Sequence, residues 1–441
     1  MQNNKIYDIT IVGGGIIGTA TAYKIQNKYP NLHILLIEKE KQLSAHQTGN
    51  NSGVIHSGLY YKPGSYKAKN CVDGRKQLVA FAKQYNIPHD VCCKVVAAVS
   101  ENELSFMDKI FQNGQANNTE GIEKIDAKKV KEIEPFVQSI GGIWVPCTGI
   151  IDYKVTTQKL AELLLAKQAE SKIVLGEEVL KYIHGEEITE VITSKNKYFT
   201  KFMIFCGGLQ ADRLAKKDGV NLKEKVVGFR GDYYSLTEEA KHKVNNLIYP
   251  VPHPNFPFLG VHFTRMVNGD VECGPNAVFT FKREGYRKTD FNLRDTIDAL
   301  TYKGTWKLLL NNTSFAYNEY RRAFSKKLFL KTLQRLIPSL TINDIKAGGA
   351  GVRAMLLSEK GDTKDDFRIE YKGKSIHVLN APSPAATACL SIGKSIEEMA
   401  TKQFKLESWK VGKLESWKVG KATLNKQRNI STFQPFNCFF K

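Results

Sequence analysis

Three side chains in this 441-residue sequence stand out for the chemistry they could do: His56, His262 and Arg353. Histidine suits proton abstraction because its ordinary pKa, about 6.5, lies close to working pH. Arginine offers a planar fork that can hold a carboxylate through two parallel hydrogen bonds. Arg353 follows Gly348-Gly-Ala-Gly351, a stretch that predicts a tight loop. His56 lies among small, hydrogen-bonding residues, and His262 opens the run His262-Phe-Thr-Arg265, a predicted strand. Each has a plainer reading. Arg353 could form a surface ion pair, His262 could be a satisfied core residue and His56 could be structural. The pattern leaves open which histidine would act.

These groups need a scaffold, and the first 58 residues supply half of one. Ile6–Val12 is a short apolar, β-branched run that Gly13-Gly-Gly-Ile-Ile-Gly18 follows at once. Thr19–Tyr29 has helical character, and His33–Glu38 reads as a second strand ending in an acid. Gly13 permits the strand-to-helix turn, Gly15 admits a pyrophosphate to the backbone and Gly18 lets helix and strand pack closely. The helix N-terminus offers free N–H groups and a positive dipole end. Glu38 can accept hydrogen bonds from both ribose hydroxyls, which argues against a 2′-phosphate. Together the four positions describe a dinucleotide site.

Composition narrows the class. Hydrophobic residues make up 42% of the chain and aromatic residues 10%, ample for a core. No apolar run approaches the ~18 residues of a membrane span. Met1-Gln-Asn-Asn-Lys leads straight into the first strand without a signal-peptide pattern. Eight cysteines show neither a CxxC pair nor zinc-site spacing, so reduced thiols in a cytoplasmic protein are expected. The net charge is +20, and residues 402–441 hold nine Lys/Arg against two Glu. No RNA-binding motif or basic-aromatic groove accompanies it, so solvated surface is favoured over nucleic acid. Lys405–Gly412 is repeated letter for letter as Lys413–Gly420. That predicts an appended, largely disordered tail over 405–441, whose Trp409, Trp417 and Phe439-Phe440 could touch a membrane surface.

A second group of motifs points to flavin. His46-Gln-Thr48-Gly-Asn-Asn51-Ser52-Gly53-Val-Ile-His56-Ser-Gly58 is rich in small and hydrogen-bonding residues, as needed where backbone runs along a ribityl chain and ring edge. Thr48, Asn51, Ser52 and Gly53 are the expected contacts there. Lys201–Cys206 is an apolar strand ending in Gly207-Gly208, fit to pass the pyrophosphate, and Ser171–Val179 resembles a strand whose end, near Val179, reads adenine. Ile376–Ala381 is a strand followed by Pro382-Ser383-Pro384-Ala385. Ser383 is the expected N-cap and Pro384 the first helical residue. Such a helix would aim its positive end at the flavin edge that gains negative charge on reduction. Ala381, Ser383, Pro384 and Ala385 therefore join the expected cofactor contacts.

The sequence resembles the L-2-hydroxyglutarate oxidase/dehydrogenase family of the glycine-oxidase-like (D-amino-acid-oxidase) flavoprotein superfamily. The resemblance rests on His46–Tyr61, Gly149–Tyr153, Phe229–Tyr233, Phe256–His262, Gly274–Ala277, Phe281–Arg287, Ala350–Ala354 and Asn380–Thr387, and spans about residues 5 to 400. It departs at Ala354-Met-Leu, where the family usually has a glutamine after the alanine, and throughout the tail. It implies FAD as cofactor and oxidation of L-2-hydroxyglutarate to 2-oxoglutarate, with electrons passed to a membrane quinone or a dye. It also implies a cytoplasmic protein that could associate with the inner face of the membrane. Oxidising a 2-hydroxy acid needs a hydride acceptor (flavin N5), a base for the hydroxyl proton (His56 or His262) and a cation for the carboxylate (Arg353). His56 could instead contact the flavin or attach it covalently. Tyr60, Tyr61, Lys62, Arg230, Arg265 and Arg283 are candidates for the second carboxylate contact; Arg283 and Arg287 flank a Glu-Gly turn and read as solvated. The rivals are a related amino-acid or glycerol-3-phosphate oxidoreductase, and a basic FAD-carrying protein that binds membrane or nucleic acid without turnover.

The expected architecture is α/β: a Rossmann-like βαβ FAD-binding domain with an interleaved antiparallel-sheet (α+β) substrate domain. The first is drawn from 1–80, 146–225 and 346–400, the second from 81–145 and 226–345. Phe229–Leu236 and stretches within Ile248–Cys273 are expected strands, and Leu309–Leu340 the helical portion.

Overall fold

The computed structural model describes residues 5–252 and 260–406. Ile6–Val12 is a strand whose residues after Ile6 are all buried, and Ile34–Glu38 is buried throughout. Strands covered on both faces read as continuous apolar runs, which is why these two were legible. Five parallel strands form the centre of an eight-stranded sheet: Lys172–Leu175, Ile34–Glu38, Ile6–Val12, Lys197–Phe205 and Ser375–Asn380. Val179–His184 and Thr189–Thr193 continue it antiparallel beyond Lys197–Phe205.

Two helices cover one face of this sheet. Ile16–Lys28 lies against Cys389–Gln403, so the start and the end of the described chain pack together. Their approach is close: a Cβ on Gly393 would lie 2.8 Å from the Ala20 carbonyl oxygen. Ile9, Ile11, Ile25, Ile392 and Ile396 fill the interface, and Leu406 is fully buried in the same core. The fold therefore runs through Leu406, two residues into the expected tail. The rest of the repeat, with Trp409, Trp417 and Phe439-Phe440, lies outside the described residues.

A nine-stranded sheet carries the other half of the molecule. Its strand order is Val278–Phe279, Lys225–Leu236, Val271–Gly274, His262–Arg265, Leu247–Pro250, Lys94–Ala98, Gly141–Val145 and Glu123–Asp126. Ile345–Leu357 pairs antiparallel with Lys225–Leu236 along nearly its whole length. Gly348–Gly351, expected as a loop, is thus strand, with Gly351 opposite Gly231 and Arg353 opposite Phe229. Helix begins earlier than expected, at Leu293–Leu300, Lys303–Asn311, Thr313–Phe324 and Lys326–Leu333. The N-terminal residue of the last helix also differs. Cys389–Gln403 starts after Ala388 without a side-chain cap, and Pro382–Ala388 forms a turn ahead of it. Ser383 is not its N-cap.

One buried ion pair joins the two halves, and it corrects the reading of Arg283 as solvated. Arg283 is 4% exposed and donates to both carboxylate oxygens of Asp212, to the Leu209 carbonyl and to Asp298. Asp212 belongs to the helix Ala211–Lys217, directly after the nucleotide-sheet strand Lys197–Phe205. Breaking a buried pair from one side leaves an uncompensated charge. Asp212→Ala should lower the free energy of unfolding by about 3–5 kcal/mol, measured by urea titration. A change within about 0.5 kcal/mol would show that Arg283 is held by its other acceptors.

Candidate active site

A cleft of about 1040 Å³ runs between the two sheets, and one end of it is built by the glycine loop. Gly13 has φ +117°, and a Cβ there would lie 2.4 Å from the Cys206 carbonyl oxygen. A Cβ on Gly18 would meet the Gly13 carbonyl oxygen at 2.0 Å. These two glycines serve the turn and the strand–helix contact. Gly15 is different: within 4 Å its Cβ would meet only Thr48 Oγ1, at 3.2 Å, so its free side faces the cleft. Helix Ile16–Lys28 has no cap from its own N-cap residue, Gly15, and no acid in its first turn; the Ile16 N–H donates to Thr48 Oγ1 at 3.0 Å. Its positive end is left for an anion. Glu38, 8% exposed, accepts hydrogen bonds from the N–H groups of Gly14 at 2.6 Å and Glu40 at 2.9 Å.

The remaining expected cofactor residues converge on the same space. Thr48, Asn51, Ser52, Val179, Gly207, Ala381, Ser383, Pro384 and Ala385 all line the cleft with Gly13, Gly15, Gly18 and Glu38. Gly53 is the exception. It is buried, with φ +64°; its N–H donates to Asn51 Oδ1 and its carbonyl accepts from Ile151 N–H. Gly53 shapes the turn that aims Val54–His56 inward and does not itself line the cleft. Asn51 uses its amide to close that turn on the Gln47 and Thr48 carbonyls. The residues fit a flavin dinucleotide: an open backbone cradle at a helix N-terminus without an acid, a buried acid at the end of the second strand and a long cleft beyond them.

Thr387 brings the two ends of the chain to one point. Its hydroxyl accepts from His56 N–H, contacts the Tyr153 hydroxyl at 3.0 Å and donates to the Val54 carbonyl. This fixes the turn Pro382–Thr387 against the segment that carries His56. Ser383 Oγ lies 3.5 Å from His56 Nε2.

His56, His262 and Arg353 all line this cleft, as expected. His262 is 4% exposed, stacks on Tyr249 with ring centroids 4.0 Å apart, and holds Nδ1 2.8 Å from the Gly260 carbonyl oxygen. A carbonyl can only accept, so Nδ1 carries the proton and Nε2 presents a lone pair. Burial, reinforced by Arg353 and Lys94, pulls the His262 pKa down to about 3. His56 is pulled to about 3 as well, by burial first and then by Lys94, His262 and Arg353. Both rings are therefore neutral at neutral pH.

The six candidates for a second carboxylate contact divide sharply. Tyr60 and Tyr61 line the cleft. Arg230 is buried against Asp232, Arg265 pairs with Asp90, Arg283 with Asp212, and Lys62 is exposed. The sequence reading passed over Tyr233 and Tyr249, which line the cleft. It also missed Lys94, fully buried beside them. The available signal was a lysine opening the apolar strand Lys94–Ala98.

Gly15 and Gly18 should respond differently to substitution. Gly15→Val should give folded protein that has lost its flavin absorbance, because only the cleft side is blocked. Gly18→Val should fail to fold, because its side chain would collide with backbone. Retention of full flavin content by soluble Gly15→Val would remove that residue from the cradle.

Comparison with known proteins agrees with this geometry. Residues 8–399 match the family model DAO, FAD dependent oxidoreductase. The chain is 44% identical over 402 residues to L-2-hydroxyglutarate dehydrogenase of Indibacter alkaliphilus, covering 90% of this chain and 100% of that one. It is 41% identical over 392 residues to L-2-hydroxyglutarate dehydrogenase of Escherichia coli K12, covering 89% and 92%. Among solved structures, the fold is similar to L-α-glycerophosphate oxidase of Mycoplasma pneumoniae (TM-score 0.72, 23% identity, covering 94% and 97%). It is also similar to glycine oxidase of Geobacillus kaustophilus (TM-score 0.69, 14% identity, covering 90% and 95%). With this match over residues 8–399 and relatives above 40% identity along most of both chains, the chain belongs to the DAO family of FAD-dependent oxidoreductases.

Proposed function

We propose that this protein is an L-2-hydroxyglutarate dehydrogenase, oxidising the substrate C2 hydroxyl to the ketone of 2-oxoglutarate. The observation that carries the reading is full-length similarity to enzymes of that name, joined to a cleft where one arginine faces two neutral histidines. Arg353 takes the C1 carboxylate in its guanidinium fork, which orients C2. His262 takes the hydroxyl proton on Nε2, since its tautomer is held by the Gly260 carbonyl and its ring by Tyr249. A bound carboxylate offsets the positive charge that depresses the ring, so substrate raises the basicity of His262 as it binds. His56, tied to the cofactor-side turn through Thr387, orients the other side of the pocket. Bound FAD supplies the two-electron acceptor for the hydride leaving C2.

Anaerobic flavin bleaching tests this. L-2-hydroxyglutarate should bleach the flavin and the D enantiomer should not. Arg353→Lys keeps the charge without the fork and should lose roughly 10- to 100-fold in kcat/KM. His262→Gln should slow bleaching roughly 10²–10⁴-fold with FAD retained, and His56→Gln should cost less. A His262→Gln enzyme that reduces at the unmutated rate would remove it as the base.

We further propose that the electron acceptor is a membrane quinone reached from the bilayer surface. Among the described residues no helix is long and apolar enough to cross a membrane. The three helices from Leu293 to Phe324 nevertheless turn large apolar side chains outward. Leu293, Ile297, Trp306, Leu310, Tyr317 and Phe324 are 50–70% exposed. The exposed charges among them, Arg294, Lys303, Lys307 and Arg321, are all basic, and Arg294 lines the cleft. Apolar side chains ringed by cations suit the interface of an anionic bilayer. The double variant Trp306→Ser, Leu310→Ser should lose sedimentation with phosphatidylglycerol vesicles and quinone turnover, while reduction of a soluble dye persists. Unchanged sedimentation would remove this surface from the reading.

A further inference from the structure

Lys94 is among the largest fully buried side chains of the protein, at 1% exposure. Its ammonium sits over two cleft-lining rings, 4.6 Å from the centroid of Tyr60 and 5.0 Å from that of Tyr249. Cation–π contacts of this kind offset only part of the cost of burying an ammonium. Buried lysines are ordinarily paired with an acid. Lys94 has none: among the described residues it makes no ion pair or hydrogen bond. The hydroxyl of Tyr60 is also buried and has no partner among the described residues. Two donors without a partner among the described residues thus stand together, directly against the cleft-lining rings of Tyr60 and Tyr249.

Their place relative to the reacting groups matters. Lys94 lies close enough to His56 and His262 to disfavour a proton on both, and Arg353 does the same. The two histidines are therefore held between two cations. The cleft's acids lie elsewhere. Glu38 bonds the glycine loop, Glu284 pairs with Lys39, Asp365 pairs with Lys67, and Glu177 is engaged by Thr193 and Asn196. The charges that act on the two histidines are Lys94 and Arg353, with no carboxylate among them, and such a site is complementary to a ligand with two negative charges.

We propose that Lys94 and the Tyr60 hydroxyl form a second carboxylate subsite, which receives the distal carboxylate of a five-carbon 2-hydroxy dicarboxylate whose first carboxylate lies on Arg353. This rests on the substrate reading above and deepens it, because it makes a buried lysine the element that separates dicarboxylates from monocarboxylates. A monoanionic hydroxy acid leaves the ammonium unpaired in a dry site, and a dianion completes it. Burial lowers the Lys94 pKa to about 8, with Cys147 and Cys71 the nearby groups that oppose the shift. The subsite is therefore charged below about pH 8 and loses its charge as pH rises beyond it. Affinity for a dianion should fall across that range, while affinity for a monoanion held by Arg353 alone should not.

Lys94→Met, which keeps the length and removes the charge, is compared with the unmutated enzyme on L-2-hydroxyglutarate and L-2-hydroxyvalerate. The expected result is a loss of roughly 10- to 100-fold in kcat/KM for the dicarboxylate, mostly in KM, with L-2-hydroxyvalerate unchanged or improved. Equal losses on both acids with full FAD would overturn the subsite and make Lys94 a positioning residue for the histidines. No loss on either would overturn it as well. Binding of glutarate and valerate, read from perturbation of the flavin spectrum, supplies a measurement that needs neither turnover nor the variant. In the unmutated protein glutarate affinity should drop above about pH 8 relative to valerate. Parallel pH profiles would overturn the proposal. Should neither hydroxy acid bleach the flavin, the substrate reading fails by itself, and the glutarate–valerate difference still decides whether Lys94 holds a second carboxylate.

Discussion

The contact on which the site depends is the one between Gly18 and the Gly13 carbonyl. There is no room for a Cβ at Gly18, which would stand 2.0 Å from that oxygen. The helix Ile16–Lys28 therefore begins directly beneath the end of Ile6–Val12, with its N–H groups turned toward the cleft. Moving that helix by the width of a methyl group would displace its dipole end, the Gly15 approach and the hydrogen bond from Gly14 to Glu38 together. It would also disturb Cys389–Gln403, which packs as closely on the same helix through Gly393 and Ala20. One steric constraint sets both the cofactor cradle and the helix pair beneath it.

From that cradle the chain reaches the reacting end of the cleft by two routes. The segment carrying His56 is tied to the turn Pro382–Thr387 by the Thr387 hydroxyl, so residues more than three hundred positions apart share one hydrogen-bonded junction. The second sheet supplies His262, Tyr249 and Arg353 from three of its strands. Rigid strands are a better support for a carboxylate fork than the loop expected around Gly348–Gly351. The glycines there have a different use: a Cβ on Gly351 would press on the Asn50 carbonyl at 2.5 Å, so the strand can lie against the cofactor-side segment.

The electrostatics of the pocket follow from burial. Two histidines are kept neutral, two cations flank them, and the tyrosine rings Tyr60, Tyr233 and Tyr249 exclude water. Holding the Lys94 ammonium out of solvent, with no acid beside it among the described residues, is costly in the absence of ligand. In the reading proposed above, a bound dianion relieves that cost and offsets the cationic part of the depression of the two histidines.

How much of this was legible in the sequence depended on how local its cause was. Gly13, Gly15, Gly18 and Glu38 were readable because a turn, a close approach and a strand-end acid are short-range requirements with fixed spacing. Ile6–Val12 and the Met203–Phe205 end of Lys197–Phe205, expected as Lys201–Cys206, were readable as strand because buried strand demands an apolar run; the exposed and half-buried first part of that strand was not. His56, His262 and Arg353 could be named from residue type and resemblance, yet their meeting in one cleft is a property of two sheets. Gly53 shows the limit: its motif sits among cofactor contacts, but its φ of +64° makes it a turn residue. Arg230, Arg265, Arg283 and Lys94 show it more plainly. Arginine or lysine in a sequence does not reveal whether an acid waits across the fold. Tertiary structure supplied Asp232, Asp90 and Asp212 to the three arginines and, among the described residues, gave Lys94 aromatic rings and no acid. Partnering of charge is decided by residues far away in the chain, and that alone separates a structural cation from one left for a ligand.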